Sequence, residues 1–360
     1  MPIYLDRHSF ISDVSAKEAA QEHLLDLGIQ DQHGCKAITY WFDEVRKVAF
    51  CLVEALSKEA VREMHDHAHG GVPNEIIEVD ESVVLAFLGR VKDPFNKEGE
   101  VLKLIEEPAF RFIMAINFIE DSHHVQINKV FSNTLKQGVK KHNGAIVEST
   151  KGRFLTIFTT VQSTIDFAKI LVEFSSKNTL NLQIGLSCGN PVDNAQIIFE
   201  KVIIEAKNLC LASRRGQIVM SSAIKKMYQK GDASLNTLNF KDLKPVDTEF
   251  LAEFIAFLAD HWHNPNLKTQ DCCTYLRISS SSLHRKMTAS LSVSFTVFLR
   301  EYRLKKSIEM FPQFNIIAEV SYDVGFNSPE YFRKCFYDFL VFLLQTTSGS
   351  PGFVLHKVIC

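Results

Sequence analysis

The sequence predicts a multidomain protein in which two α+β units, both ferredoxin-like, precede an all-α unit with two helix-turn-helix elements. Three observations predict it. Short apolar runs and amphipathic helical patterns alternate in the order βαββαβ up to about residue 93, and a second alternation fills about 108–229. From Glu249 onward the apolar spacing is helical almost throughout. The length of 360 residues also exceeds what one ordinary core holds.

In the first unit, Ile3 to Leu5 is an apolar strand, and Ser15-x-x-Glu18 is a capping box opening a helix through about Leu27. Ala37 to Phe42 and Val48 to Val53 are strands flanking the polar turn Asp43 to Lys47. Lys58 to Ala68 is a helix and Glu75 to Val79 the last strand.

Pro94 to Pro108 is charged and weakly periodic, which predicts a linker. The second unit then has a strand Phe112 to Ile119, a helix around Ile127 to Lys141, a hairpin across Ile146 to Phe158, a helix Val161 to Phe174, a strand Leu182 to Leu186, and a helix leading to Leu211. Gln229 to Asp247, with Gly231 and Pro245, reads as another linker. The helical unit is expected over 248–345, with an atypical tail over 340–360.

A net charge of −2 gives no bulk attraction to nucleic acid, so DNA binding must rest on locally placed side chains. The eight cysteines form no CxxC pair, and adjacent Cys272 and Cys273 are poorly suited to bridging each other. With Asp6 and Arg7 near the start and no apolar run approaching about 18 residues, the expectation is a cytoplasmic protein without export or a membrane span.

Two helix-turn-helix patterns lie between Leu267 and Phe339, joined by an amphipathic stretch, Phe295 to Met310, long enough for one connecting helix. The second runs Ile317-Ala-Glu-Val-Ser-Tyr-Asp-Val-Gly325-Phe-Asn-Ser-Pro-Glu-Tyr-Phe-Arg-Lys-Cys-Phe336. It closely resembles the signature of the AraC/XylS family of transcriptional regulators. Ala318 and Ser321 are small where helices would cross, and Gly325 permits the left-handed backbone that ends the first helix. Asn327 or Ser328 caps the next, with Pro329 in its first turn. Phe326, Tyr331, Phe332 and Phe336 are expected on the buried side, and Glu330, Arg333 and Lys334 on the groove side.

Leu276, Ile278, Ser279, Ser281, Leu283, Arg285 and Lys286 have the spacing that the family uses for its other reading helix. Here Cys272-Cys273 stands where the family has Leu-Ala, and Arg277 replaces the usual turn glycine. The resemblance implies Ser280, Ser281 and His284 against base edges, with Arg285 and neighbouring lysines on phosphates. Arg300, Arg303 and Lys305 fall on the connecting helix, where Arg303-Leu304 matches the family's Arg-Leu. The alternative is a packed helical pair with solvated charges.

After Phe339 the family continues with a Gly-x-Ser/Thr-Pro turn and a closing helix, whereas this chain reads Leu340-Val-Phe-Leu-Leu-Gln-Thr-Thr-Ser-Gly-Ser-Pro-Gly. A closing helix is therefore not expected, and with it several kcal/mol of domain stability. The expectation is weak folding or weak DNA binding.

Ile184-Gly-Leu-Ser-Cys-Gly-Asn-Pro-Val192, Ala206 and Gly216-Gln-Ile-Val-Met-Ser221 resemble class III nucleotide cyclase domains over about Phe110 to Tyr228. Such cyclases hold two metal ions on two aspartates. Asn117 stands at the first of these positions, and Lys151-Gly152-Arg153 replaces the Gly-Asp-Gly turn of the second. Ile203 and Lys207 occupy the places of the transition-state Asn and Arg, so no enzyme activity is expected. Lys151 with Arg153 is placed to attract an anion, or simply to face solvent. Gly185-x-Ser187-x-Gly189 also fits a nucleophile elbow, but Asn190-Pro191 forbids the helix it requires immediately afterwards.

Met1-Pro-Ile-Tyr-Leu-Asp-Arg-His8, Tyr40-Trp-Phe-Asp-Glu44, Phe50-Cys-Leu-Val-Glu-Ala55 and His65-x-x-x-His69-Gly70 resemble a family of small ferredoxin-like proteins, some nickel-binding, over residues 1–93. His65 and His69, four apart on a predicted helix, point one way and are spaced to grip one borderline divalent ion. His8, His23 and His67 are further candidates. An equal alternative is a metal-free domain pairing with a second copy through its sheet. Taken together, the expectation is a homodimeric regulator of double-stranded DNA, with nickel, another divalent transition metal or a small molecule as effector. Its rival is a metal-binding or nucleotide-responsive protein with an impaired DNA-binding end.

Overall fold

A computed structural model describes residues 1–10, 14–94, 104–118, 125–150, 152–178, 180–193, 196–214, 216–228, 240–310 and 317–344. Side chains 125–127 and 340–344 lie outside this description, as do Lys151, residues 95–103 and 229–239 of the two expected linkers and the tail from 345.

The first unit consists of β1 (Ile3–Ser9), α1 (Ala16–Ile29), β2 (Lys36–Asp43), β3 (Val48–Glu54), α2 (Lys58–His69) and β4 (Glu75–Val79). The antiparallel sheet has the order β2-β3-β1-β4, the strand order of the ferredoxin-like motif. Ser15 caps α1 in the reciprocal box with Glu18. A further helix, α3 (Glu81–Leu88), follows β4. The sequence reading placed no helix there. Asp80 caps its start and Gly89, at φ +83°, ends it.

The second unit runs β5 (Arg111–Phe118), α4 (Val125–Lys141), β6 (Ala145–Thr150), β7 (Arg153–Phe158), α5 (Val161–Lys177), β8 (Leu182–Gly189), α6 (Glu200–Ala212), β9 (Ile218–Ser221), α7 (Ser222–Tyr228) and β10 (Phe240–Leu243). Its six-stranded sheet has the order β10-β9-β8-β5-β7-β6. The reading of 229–247 as a linker is corrected in part: Phe240–Leu243 pairs in parallel with β9, and Pro245 begins a helix. Gly185 and Gly189 of the elbow-like motif face α6. A Cβ on Gly185 would lie 2.1 Å from the Cys210 nitrogen, and one on Gly189 2.5 Å from Val202 Cγ2. These glycines serve helix-on-sheet contact, and Ser187 lies inside the strand, paired with Ile113.

The first sheet shows Tyr4, Tyr40, Phe42, Cys51 and Val53 to α1 and α2. Its opposite face supplies Leu5, Trp41, Phe50, Leu52 and Ile77 to the same apolar cluster as Ile113, Ala115, Leu155 and Ile157 of the second sheet and Val202 and Ala206 of α6. Burial of this apolar area drives the two units together. Arg111, 3% exposed, adds donations to the Phe87 and Leu88 carbonyls at the end of α3. This face of the first sheet is therefore covered within the chain itself.

The helical unit comprises α8 (Pro245–His261), α9 (Thr269–Leu276), α10 (Ser280–Leu291), α11 (Phe295–Met310), α12 (Ile317–Asp323) and α13 (Pro329–Leu344). Phe250, Phe254 and Phe257 of α8 share a core with Leu209, Ala212 and Val219 of the second unit. Leu304, Val320, Val324, Phe326, Phe332 and Phe336 form a separate core around the second helix-turn-helix. Tyr331, expected to be buried, is 52% exposed. Among the described residues no helix is long and apolar enough to cross a membrane.

Candidate functional site

In β1 successive side chains point to opposite faces of the sheet. Asp6 and His8 therefore share the face that meets α1 and α2, while Leu5 and Arg7 face the second unit. Leu5 joins the shared apolar cluster, and Arg7 donates to the Val192 carbonyl at 3.4 Å. On α2, His65 and His69 lie one turn apart. His65 Nδ1, His69 Nε2 and Asp26 Oδ1 of α1 make a triangle with sides of 3.0, 3.3 and 3.3 Å. Two ligand atoms held about 2.1 Å from one ion are about 3.0 Å apart at a right angle and about 3.4 Å apart at the tetrahedral angle. The triangle fits that range.

Asp26 Oδ1 is buried and, despite those approaches, has no aligned hydrogen-bond donor. Such an atom is costly in apolar surroundings unless something else satisfies it. Two imidazole nitrogens and a carboxylate oxygen suit a borderline cation such as nickel. On the far side of His65, Asp6 Oδ2 is 3.0 Å from Nε2, and Asp6 Oδ1 is 3.1 Å from His8 Nε2 and accepts from the Cys51 N–H at 3.2 Å. Asp6, His8, Cys51 and His65 form a second buried group with ligand-type atoms within 4.8 Å of one another.

The electrostatics are those of a buried ion-pair cluster. Burial opposes charge on His65, but the Asp6 charge, the close approach of the Asp26 carboxylate and the hydrogen bond to Asp6 together outweigh it and raise the imidazole to about 10. Burial raises Asp6 and Asp26, yet the adjoining histidines prevail and hold both below the usual carboxylate range. Burial, then Asp6 and Asp26, push the Cys51 thiol well up.

Of the sequence candidates, His65 and His69 meet at the triangle and His8 stands beside it. His23 lines the same cavity as His8, His69 and Asp26, but belongs to neither close group. Both its ring nitrogens are buried without hydrogen bonds, and burial lowers its pKa against the pull of Asp93 and Asp26. His67 instead meets His33 at 3.2 Å near the surface. Sequence reasoning missed Asp6, Asp26 and Cys51. The spacings Asp6-x-His8 on a strand and His23-x-x-Asp26 on a helix were the available signals.

At the helical end, Arg277 adopts the left-handed turn at φ +54°, and Ser279 Oγ accepts from the Ser282 N–H to start α10. Ser280, Ser281, His284 and Arg285 are exposed. Lys286 is half-buried, its Nζ 5.2 Å from the Phe250 ring. Gly325 has φ +82°, and Ser328 Oγ accepts from the Tyr331 N–H. Glu330, Arg333 and Lys334 are exposed. Asn327, also exposed, donates to the Pro265 carbonyl at 3.4 Å. Arg303 points inward, donating to the carbonyls of Trp262 and Asn264.

In the second unit, Asn117 pairs with Gln183 and Arg153 across the sheet, and Arg153 is bound to Glu309 of α11. Ile203 packs on the cluster shared with the first unit, and Lys207 pairs with Glu148 at 2.7 Å.

Residues 4–79 match the family described as nickel responsive protein, SCO4226-like. The curated histidine kinase P4 of Formosa agariphila is 30% identical over 95 residues, 26% of this chain and 7% of that protein, so the chain spans only a small part of that relative's length. Among solved structures, SCO4226 from Streptomyces coelicolor is 28% identical, covering 21% of this chain and 94% of that chain, with a TM-score of 0.21. The C-terminal domain of the two-component response regulator yesN from Fusobacterium nucleatum is 17% identical, covering 24% and 90%, with a TM-score of 0.23. An adenylate/guanylate cyclase/hydrolase from Silicibacter pomeroyi is 20% identical, covering 34% and 82%, with a TM-score of 0.31.

Proposed function

We propose that this chain is a sequence-specific DNA-binding regulator whose first unit answers to a divalent transition metal, nickel in keeping with the family matched by residues 4–79. One observation carries the DNA reading: the turn at Gly325 buries Phe326, Phe332 and Phe336 while leaving Glu330, Arg333 and Lys334 exposed at the start of α13. Ser280, Ser281, His284 and Arg285 offer a second reading surface on α10, so one chain addresses two segments of major groove. Asp26, His65 and His69 hold the ion, which supplies a fixed positive charge where two buried acids converge. The second unit works without catalysis, joining the metal unit to the helical unit. Its contacts include the apolar cluster beneath β1, the core shared with α8 and the Arg153 to Glu309 pair. A homodimer forms through surfaces other than the covered sheet, and the chain acts in the cytoplasm.

The test is selection of bound duplexes from random double-stranded DNA by the full chain, with and without Ni(II). Enrichment of one sequence, relaxed at one base position in Arg333→Ala, supports the regulator. Metal retention with no sequence preference supports the rival, a metal-binding protein with an impaired reader.

A further inference from the structure

We propose that Asp6 is a positioning residue for the ion: it fixes His65 with its proton on Nε2, so that Nδ1, which gives up its own proton to solvent as the ion enters, turns a lone pair to an ion shared with Asp26 and His69, while Cys51 stays outside the coordination sphere. This rests on the metal reading above and goes beyond it by assigning the two sides of His65 different roles.

The two carboxylates are not equivalent. Asp6 is wholly buried, and both its oxygens are engaged: Oδ2 with His65 Nε2 at 3.0 Å, Oδ1 with the Cys51 N–H at 3.2 Å. Asp26 Oδ1 has near neighbours but no aligned donor. A carboxylate that takes the outer N–H of a ligating imidazole sets its tautomer and ring direction, which is the geometry of Asp6 to His65. Charge counting favours the same assignment. One divalent ion with ionised Asp6 and Asp26 is neutral, which a buried site demands. A second ion among Asp6, His8, Cys51 and His65 would need a thiolate and an imidazolate together to reach neutrality.

The test titrates the metal-stripped full chain with Ni(II) against a competing chelator and records the absorption spectrum of the Ni(II) and Co(II) forms. The expected result is one ion per chain and no thiolate charge-transfer band. Asp6→Asn should weaken binding about 10–100-fold and shift the ligand-field bands at unchanged stoichiometry. Asp6→Glu, which keeps the charge, should recover part of the affinity, and Cys51→Ser should leave affinity and spectrum as they were. Two ions per chain, a thiolate band that Cys51→Ser removes, or an Asp6→Asn chain with unaltered affinity and spectrum would each overturn the inference while leaving the metal reading standing. A wild-type chain that takes up no Ni(II) would overturn the metal reading itself.

Discussion

Gly325 turns directly above the Arg303 guanidinium: a Cβ added to the glycine would lie 3.1 Å from Arg303 Cζ and 2.7 Å from the His263 carbonyl oxygen. The turn of the second helix-turn-helix is thus tied to the connecting helix and to the end of α8. Gly325→Ala should cost about 1–2 kcal/mol for the left-handed backbone alone, with the His263 contact added. Arg303→Ala should cost about 1–3 kcal/mol for the Trp262 carbonyl it strands, while the Asn264 carbonyl keeps the Leu267 N–H at 3.1 Å. Hydrogen exchange across 317–336 in the full chain reads both. Unchanged protection in either variant would show that the turn does not depend on that contact.

Exposed Arg333 is the residue whose loss should separate reading from folding. Arg333→Ala should cost about 1–3 kcal/mol on the selected duplex and relax preference at one base position, with little change in thermal stability. Arg285→Ala, at the exposed residue expected on phosphates, should weaken binding to all sequences alike and flatten its dependence on salt. Equal losses on selected and random duplexes for Arg333→Ala would argue against base contact there.

The elements most legible in the sequence were those with local punctuation. The Ser15 and Glu18 box, the connecting helix Phe295–Met310 and the Gly325 turn need only neighbouring residues to be recognised. Helix α3 escaped because Val83-Val84-Leu85-Ala86-Phe87-Leu88 is a nearly continuous apolar run, without the polar face that reveals an amphipathic helix. Strand β10 escaped because its four residues, Phe-Lys-Asp-Leu, are too few to show a period. Half of the metal cluster was hidden for another reason. Asp6, Asp26 and Cys51 become neighbours of His65 only when β1, α1, β3 and α2 pack together, and buried acids are exceptional enough that a strand Asp reads as solvent-facing.

The Gly71 N–H donates to His69 Nδ1 at 3.2 Å, and a Cβ on Gly71 would lie 2.8 Å from that same nitrogen. A neutral imidazole that binds an ion through Nε2 carries its proton on Nδ1, so Ni(II) loading must break this bond. The Gly71 amide should exchange faster in the loaded chain. Gly71→Ala should push the His69 ring from the triangle and weaken Ni(II) binding about tenfold, a readout for chelator competition. A Gly71 amide equally protected with and without Ni(II) would argue against ligation through His69 Nε2.

Glu205 of α6 is bonded to Ser187 inside β8, and burial, opposed by that bond, raises its pKa. A carboxylate whose folded pKa exceeds its unfolded value favours the fold below the unfolded pKa, and the benefit is lost as pH rises through the folded pKa. Glu205→Gln, which stays neutral, should therefore gain stability over wild type as pH climbs from acid to neutral. Melting curves of the two chains across that range should diverge in this direction, and parallel curves would mean that Glu205 is solvated.

The alternation along β1 gives the metal site a route to the rest of the chain. Asp6 and His8 face the ion cluster, whereas Leu5 and Arg7 face the second unit, where Arg7 meets Val192 and lies 3.9 Å from Asp193. If Ni(II) changes the affinity for the selected duplex by some factor, the duplex must change the affinity for Ni(II) by the same factor, commonly about 5–150-fold in coupled systems. Arg7→Ala touches no ligand atom. It should leave Ni(II) affinity of the free chain unchanged while drawing that factor toward one, because the strand then transmits less to its neighbour. Measuring both affinities with and without the other ligand closes the cycle. A factor that survives Arg7→Ala intact would place the coupling elsewhere, with the shared core of α6 and α8 as the next contact to cut.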